Sequence, residues 1–164
     1  CGVGAEERGQ GQAIAENLME MSTLCVPILS IVIGEGGSGG ALALCVSDRV
    51  WMLENAVYSV ISPEGCASIL WKEPEKAKDA AESLRLTASD ARMVGVIEEI
   101  IPENGIGTEG FYSSLRNRLK EELSLLVRDP ELINHRYQRF RKLGSSEDFG
   151  IAVSGETKRE SETE

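Results

Sequence analysis

The chain has 164 residues, enough for one domain with a single hydrophobic core. Its formal net charge of −10 argues against a general affinity for nucleic acid, which depends on clustered basic residues. No apolar run reaches the ~18 residues of a membrane-spanning helix. The single histidine, His135, and the absence of C-x-x-C spacing argue against a metal site on this chain. The four cysteines are predicted to be mainly buried, reduced thiols.

Hydrophobic periodicity predicts alternating helices and strands. The β-branched run at residues 25–33 indicates a strand buried on both faces. Pro63 is placed to open a helix, and Thr87 is placed to cap one, with Asp90 at the capping-box position. In chain order, we predict a helix at 6–21, a strand at 25–33, a helix at 41–46, strands at 49–53 and 56–61, helices at 63–71, 75–84 and 87–93, a strand at 96–101, and helices at 111–127 and 131–143.

Composition divides the chain into two parts. Residues 1–144 carry the predicted elements and are taken as one domain. Residues 145–164 hold six acidic and two basic residues with few apolar ones, so we predict a solvated, disordered tail. The chain starts with neither Met nor a signal peptide, and we expect it to begin inside a larger protein. The basic run at 136–142 is interpreted as a solvated helix face or a contact with an acidic partner.

A glycine-rich segment, residues 34–40, separates a predicted strand from a predicted helix. Backbone N–H groups are exposed at such a helix start, where the helix dipole is positive. Glycine lets another group approach the backbone closely. The segment is therefore predicted to hold an anion or an oxyanion.

One interpretation is a dinucleotide-binding fold. Gly34, Gly36 and Gly39 match G-x-G-x-x-G, and Glu54 stands where a ribose-binding acid belongs. A parallel crossover, however, needs about a dozen residues and usually a helix. Here the next strand-like run starts at Ala56, two residues after Glu54, so the short connection disfavours this interpretation.

A second interpretation is a serine hydrolase. Residues 36–40 also match G-x-S-x-G, with Ser38 as the nucleophile. A triad would need His135, which lies on a polar C-terminal helix that nothing brings near Ser38. A Ser–Lys dyad with Lys72 stays open.

A third interpretation rests on five ordered stretches between Gly2 and Gly144. They are residues 5–10, 32–43, 58–72, 100–103 and 134–140. Together they resemble the carboxyltransferase α subunits of multisubunit acetyl-CoA carboxylase. The family has a long N-terminal portion, including the first strands of its fold, that this chain lacks.

The resemblance implies an α/β, crotonase-like (spiral) fold of ββα units with C-terminal helices, whose N-terminal part is missing. It implies transfer of the carboxyl group from carboxybiotin to acetyl-CoA, giving malonyl-CoA in the first committed step of fatty acid biosynthesis. The implied partners are a carboxyltransferase β subunit with a zinc ribbon, the biotin carboxyl carrier protein and biotin carboxylase, in an α2β2 heterotetramer. No metal, nucleic acid or membrane is implied for this chain. The implied location is the bacterial cytoplasm or the plastid stroma.

The resemblance also implies roles for the glycine segment. Backbone N–H groups of Gly39, Gly40 and Ala41 would form an oxyanion hole facing the biotin ureido oxygen. Gly36, Gly37 and Ser38 would shape the binding surface, with Ser38 not acting as a nucleophile. Glu64 is a candidate active-site neighbour, although a carboxylate in the first turn of a helix also suits the helix dipole. We favour that structural role for Glu64.

Overall fold

The computed structural model describes residues 2–144, so the predicted tail at 145–164 and Cys1 lie outside the described residues. A 3₁₀ turn, Pro74–Lys76, accompanies the helices and strands. In chain order these are α1 (Val3–Glu7), α2 (Gln10–Thr23), β1 (Leu29–Val32), β2 (Glu35–Gly37), α3 (Ser38–Cys45), β3 (Arg49–Leu53), β4 (Val57–Ser59), α4 (Pro63–Trp71), α5 (Ala77–Leu84), α6 (Ala88–Met93), β5 (Glu99–Ile101), α7 (Glu109–Val127) and α8 (Leu132–Lys142). No helix in this part of the chain is long and apolar enough to cross a membrane.

The strands form two separate parallel sheets. One has the order β1-β3-β5, and the other pairs β2 with β4. A unit of two strands followed by a helix therefore occurs twice, as β1-β2-α3 and β3-β4-α4. Within each unit, the two strands belong to different sheets. This arrangement confirms the predicted spiral of ββα units.

The core surrounds β3, the central strand of the larger sheet. Trp51 and Met52 are fully buried, and Ile97 and Ile101 pack against them in the same cluster. Helix α7 covers this cluster with half-buried apolar side chains, among them Leu115 and Leu119. Because β3 has a neighbour on each side, its backbone and side chains are both removed from water.

The prediction for residues 25–33 is only partly confirmed. Strand β1 covers Leu29–Val32, and the flanking Val26 and Ile33 are 56% and 75% exposed. A strand buried on both faces was expected, but β1 lies at the edge of the described sheet. The central position, which gives full burial, belongs to β3.

Helices α4 and α6 start where the sequence predicted them, and each is preceded by a capping residue. The Ser62 hydroxyl accepts a hydrogen bond from the Gly65 N–H at the start of α4. The Thr87 hydroxyl accepts one from the Asp90 N–H and donates one to the Asp90 carboxylate. Such caps each stabilise a helix by about 1 kcal/mol, because they satisfy N–H groups that have no partner within the helix.

Two predicted segments are divided differently in the structure. The helix expected at 6–21 is broken at Gly9, whose φ of +87° places it in the left-handed region. The glycine segment was expected to be a loop, yet Glu35–Gly37 forms strand β2. Both differences arise because glycine permits conformations that side-chain periodicity does not reveal.

A buried ion pair joins α8 to the loop before β3. The Arg136 guanidinium donates to both carboxylate oxygens of Asp48, at 2.9 and 2.8 Å, and both side chains are almost fully buried. Arg136 also donates to the carbonyl oxygens of Met21, Leu24 and Val26. The second carboxylate oxygen of Asp48 accepts a further bond from the Ile28 N–H at 2.7 Å. One guanidinium thus connects α2, the segment leading to β1, and α8.

We expect Arg136→Met to lower the free energy of unfolding by about 3–5 kcal/mol, because it leaves the Asp48 carboxylate buried without its counter-ion. Urea unfolding followed by circular dichroism measures this. The double change Arg136→Met with Asp48→Leu should recover part of the loss, and Arg141→Ala, at an exposed position of the same helix, should have no effect. Equal stability of Arg136→Met and Arg141→Ala would contradict the assigned role.

Candidate active site

The glycine segment turns sharply from β2 into α3. Gly37 is the N-cap of α3 in an extended conformation, and Ser38 follows with a φ of +53°, unusual for a residue other than glycine. At Gly36, an added Cβ would lie 3.4 Å from both the Ala41 Cβ and the Val32 Cγ1. Close packing on one side of the segment therefore holds the turn in place.

The first turn of α3 presents backbone donors without partners inside the helix. These are the N–H groups from Gly37 to Gly40, since the first four N–H groups of a helix have no carbonyl four residues earlier in the helix. Gly39 and Gly40 are half-buried, and nothing lies within 4 Å of an added Cβ at Gly40. Ala41 comes one residue later, where the N–H normally bonds within the helix. Gly39 and Gly40 thus have N–H groups without a partner inside the helix, and an oxyanion hole formed by Gly39, Gly40 and Ala41 stays a prediction.

A cavity of about 410 Å³ adjoins this helix start. Ser38 and Gly39 form one wall, and mostly apolar side chains form the rest. The other lining residues are Leu42, Tyr58, Ser59, Val60, Leu84, Arg85, Ala91, Val94, Val96 and Leu143. We call this cavity the loop cleft. Its apolar lining strengthens any hydrogen bond that the backbone donors make inside it.

Tyr58 lines the loop cleft and is hydrogen-bonded to Cys45, and both of these side chains stay neutral. Burial raises the pKa of the Cys45 thiol, although its hydrogen bond with Tyr58 acts in the opposite direction. Burial also raises the pKa of the Tyr58 hydroxyl, to well above its usual value. Near neutral pH, Cys45 is therefore a thiol with little nucleophilic character. Cys45 and Cys66 are buried as predicted, whereas Cys25 is exposed.

Glu64 occupies the first turn of α4, immediately after Pro63, and its side chain is exposed. It does not line the loop cleft. This position suits the favourable interaction of a carboxylate with a helix N-terminus. A role for Glu64 at the active site stays a prediction.

The structure disagrees with a dinucleotide-binding fold. Glu54 lies in a two-residue turn between β3 and β4, and no helix follows it. Its carboxylate accepts a hydrogen bond from the Glu103 N–H at 2.9 Å. Because β3 and β4 belong to different sheets, no crossover helix is required between them. The acid that matched the ribose-binding position has a structural role.

The serine hydrolase interpretation also lacks its geometry. The Nδ1 atom of His135 lies 2.6 Å from a carboxylate oxygen of Asp129, at the corner between α7 and α8. This hydrogen bond is the main reason that the pKa of Asp129 is lowered. Within residues 2–144, neither His135 nor Lys72 is hydrogen-bonded to Ser38, and neither lines the loop cleft. In the described part of the chain, neither of these two side chains is placed to act as a base for Ser38.

Sequence reasoning did not identify the walls of the loop cleft. Tyr58 and Val60 were assigned only to a strand, Leu143 only to the end of a helix, and Arg85 to no element. These residues come from distant parts of the chain, and no local spacing marks them. Tyr58 is the central residue of β4, and no signal in the sequence pointed to its place in the cleft.

A spiral of ββα units with a glycine-rich helix start defines the crotonase-like class. A malonate decarboxylase hetero-tetramer from Pseudomonas, solved in complex with coenzyme A, superimposes with a TM-score of 0.71 at 18% identity, over 87% of this chain and 62% of that one. Transcarboxylase 12S, solved with methylmalonyl-coenzyme A, gives a TM-score of 0.55 at 24% identity, over 62% of this chain and 22% of that one. At these identities the likeness concerns the fold alone.

The sequence profile described as acetyl co-enzyme A carboxylase carboxyltransferase-like matches residues 1–144, and the chain belongs to this family. The α subunit of acetyl-coenzyme A carboxylase carboxyl transferase from Streptococcus equi subsp. equi is 58% identical over 143 residues. That from Streptococcus pneumoniae (strain CGSP14) is 56% identical. Each match covers 86% of this chain, which spans about half the length of these relatives, 56% in both cases.

The two faces of the glycine segment should respond differently to substitution. Gly36→Val should lower the free energy of unfolding by about 1–3 kcal/mol, because its methyl groups enter a space already in van der Waals contact. Gly40→Ala should leave stability unchanged or raise it by up to about 1 kcal/mol, since its Cβ meets open space in a helix. Urea unfolding measures the free energy of unfolding of both variants. A greater loss of stability for Gly40→Ala than for Gly36→Val would contradict this packing.

Proposed function

We propose that this chain forms part of the carboxyltransferase that moves a carboxyl group from carboxybiotin to acetyl-CoA, giving malonyl-CoA. The observation that carries the proposal is the glycine-rich start of α3, where Ser38 and Gly39 line a largely apolar cleft in a chain of the carboxyltransferase family. Carboxyl transfer places negative charge on oxygen atoms of both substrates, and preorganised N–H donors stabilise such charge.

The geometry of the loop cleft suits the biotin ring. Gly40 has no neighbour in the position of a Cβ, so a planar ureido group can approach the backbone without a side chain in the way. The cavity of about 410 Å³ is large enough for a small bicyclic ring system. When bound, carboxybiotin supplies the activated carboxyl group.

The residues of this chain then have separate tasks. The N–H groups of Gly39 and Gly40 donate to the ureido oxygen, and the dipole of α3 adds a favourable potential. Close packing at Gly36 holds these donors in position, and Leu42, Tyr58 and Val60 give the cleft an apolar lining. Removing one such donor from an enzyme typically costs about 3–4 kcal/mol of transition-state stabilisation.

Partner subunits are part of the proposal. We infer that a β subunit with a zinc ribbon contributes the oxyanion hole for the thioester of acetyl-CoA, in an α2β2 assembly served by the biotin carboxyl carrier protein and biotin carboxylase. Exposed apolar side chains on α4, with Ile69 at 70% and Leu70 at 62%, are typical of a protein interface. The relatives named above are bacterial, which favours the bacterial cytoplasm as the location over the plastid stroma.

The oxyanion hole can be tested at Gly40. Gly40→Val should lower the rate of carboxyl transfer by about 100-fold or more without unfolding the protein, because a β-branched side chain would fill the approach to the donors. The measurement is carboxyl transfer between malonyl-CoA and biocytin by the assembled complex.

Ser38→Ala provides the matched control, because it changes a neighbouring side chain but keeps the backbone donors. It should retain most of the activity. If it abolishes turnover instead, and a fluorophosphonate probe labels Ser38, the hydrolase interpretation is correct and the proposed function fails.

Activity should also depend on the partner. This chain alone should show little carboxyl transfer, because the proposed hole for the thioester belongs to the β subunit. Assays of the chain alone, and of the complete α subunit with and without β, measure this dependence. Robust activity of the chain alone would contradict the division of the site between subunits.

A further inference from the structure

The loop cleft has a single cation in its wall. Among the lining residues within 2–144, Arg85 is the only charged one. The other side chains are apolar or carry hydroxyl groups, and the hydroxyl of Tyr58 stays neutral. No carboxylate from this part of the chain lines the cleft, so nothing inside it compensates the guanidinium. A cation beside apolar walls attracts an anionic ligand strongly, because its field is less screened there than in water.

Arg85 also lacks an ion-pair partner outside the cleft. The ion pairs formed within residues 2–144 all involve other cations. The Asp90 carboxylate, on the following helix, accepts a hydrogen bond from the Thr87 hydroxyl instead. Because Arg85 is exposed and unpaired in the described structure, its guanidinium is available to a ligand that enters the cleft.

The backbone fixes Arg85 in an uncommon conformation. Arg85 is the C-cap of α5, and its φ of +50° lies in the left-handed region that glycine usually occupies at a helix end. The residues after it are attached to β4. The Tyr58 N–H donates to the Leu86 carbonyl at 3.2 Å, and Thr87 forms an antiparallel bridge with Val57. Residues held in such sparsely populated conformations by their surroundings cluster at functional sites.

We propose that Arg85 binds the carboxylate of the carboxyl group that is transferred. The inference rests on the proposed function and adds a residue to the same site. There, the N–H groups at the start of α3 donate to the ureido oxygen of biotin, and Gly39 lines the same cleft as Arg85. In carboxybiotin the carboxylate is attached to a nitrogen next to that oxygen, so it enters the cleft with the ring. A carboxylate between apolar walls needs a counter-ion, and Arg85 supplies it.

The guanidinium group suits a carboxylate in its geometry. Its planar fork donates two parallel hydrogen bonds to the two carboxylate oxygens. The transferred carbon is bonded to a biotin nitrogen before the reaction and to the acetyl carbon of the thioester afterwards. Both carriers therefore present the carboxylate at the same place. Malonyl-CoA and acetyl-CoA differ in that carboxylate alone, so Arg85 is expected to discriminate between them.

The test uses the assembled complex of the complete α subunit and the β subunit, with the change Arg85→Gln. Lys72→Gln is the matched control. Lys72 is also an exposed cation at the C-cap of a helix, with a φ of +58°, but it does not line the loop cleft. Titrations with malonyl-CoA and with acetyl-CoA, without biotin, give the two dissociation constants of each variant.

We expect Arg85→Gln to raise the dissociation constant of malonyl-CoA by about tenfold, since a charge-assisted contact is lost, and to leave that of acetyl-CoA unchanged. Arg85→Lys, which keeps the charge but not the planar fork, should lie between Arg85→Gln and the wild type. Lys72→Gln should change neither constant. An equal loss of affinity for both ligands, or no loss for malonyl-CoA, overturns the inference.

Kinetics separate this inference from the proposed function. In carboxyl transfer from malonyl-CoA to biocytin, Arg85→Gln should raise the KM for malonyl-CoA by about tenfold and leave kcat unchanged, because the contact already exists in the bound substrate. If the wild-type complex binds malonyl-CoA but transfers nothing, the proposed function fails and the titrations alone decide the role of Arg85. Absence of malonyl-CoA binding to the wild-type complex overturns that role.

Discussion

The bonds of the Arg136 guanidinium connect the two ends of the described chain. One side chain satisfies both oxygens of Asp48 and three main-chain carbonyls between α2 and β1. The Asp48 loop leads directly into β3, on which the larger sheet is built. The same contact holds α8 in place, and so places Leu143 in the wall of the loop cleft. A buried charge of this kind is tolerated because every donor direction finds an acceptor.

The candidate site depends on the division of neighbouring strands between two sheets. Because β2 pairs with β4 and not with β1, the glycine segment leaves the larger sheet before α3 begins. Tyr58 on β4 then lies against Gly36 and lines the loop cleft. A residue of β4 thereby forms part of the cavity wall beside Gly39. The same division places Glu54 in a turn, where its carboxylate bonds to the backbone before α7.

Local signals in the sequence were reliable where local chemistry decides the conformation. Ser62 and Thr87 start helices where predicted, since their hydroxyls satisfy N–H groups of the adjacent turn. Strand β3 was predicted with its observed ends. The β-branched run around β1 was misjudged, because it resembles a central strand in composition but occupies an edge. Hydrophobic composition reports how apolar a segment is, and the position in the sheet depends on partners elsewhere in the chain.

By itself, the sequence determined the strand–strand–helix order of residues 49–71, the helix caps, the glycine segment and, through ordered motifs, the family. Those features depend on residues close together in the chain or on patterns shared with relatives. Only the tertiary structure decided which side chains form the cavity beside Gly39 and which acid is structural. Tyr58 and Leu143 show no local sign of a shared site in the sequence. They line one cavity because folding brings β4 and the end of α8 to the start of α3, while the Glu54 carboxylate bonds to the backbone before α7.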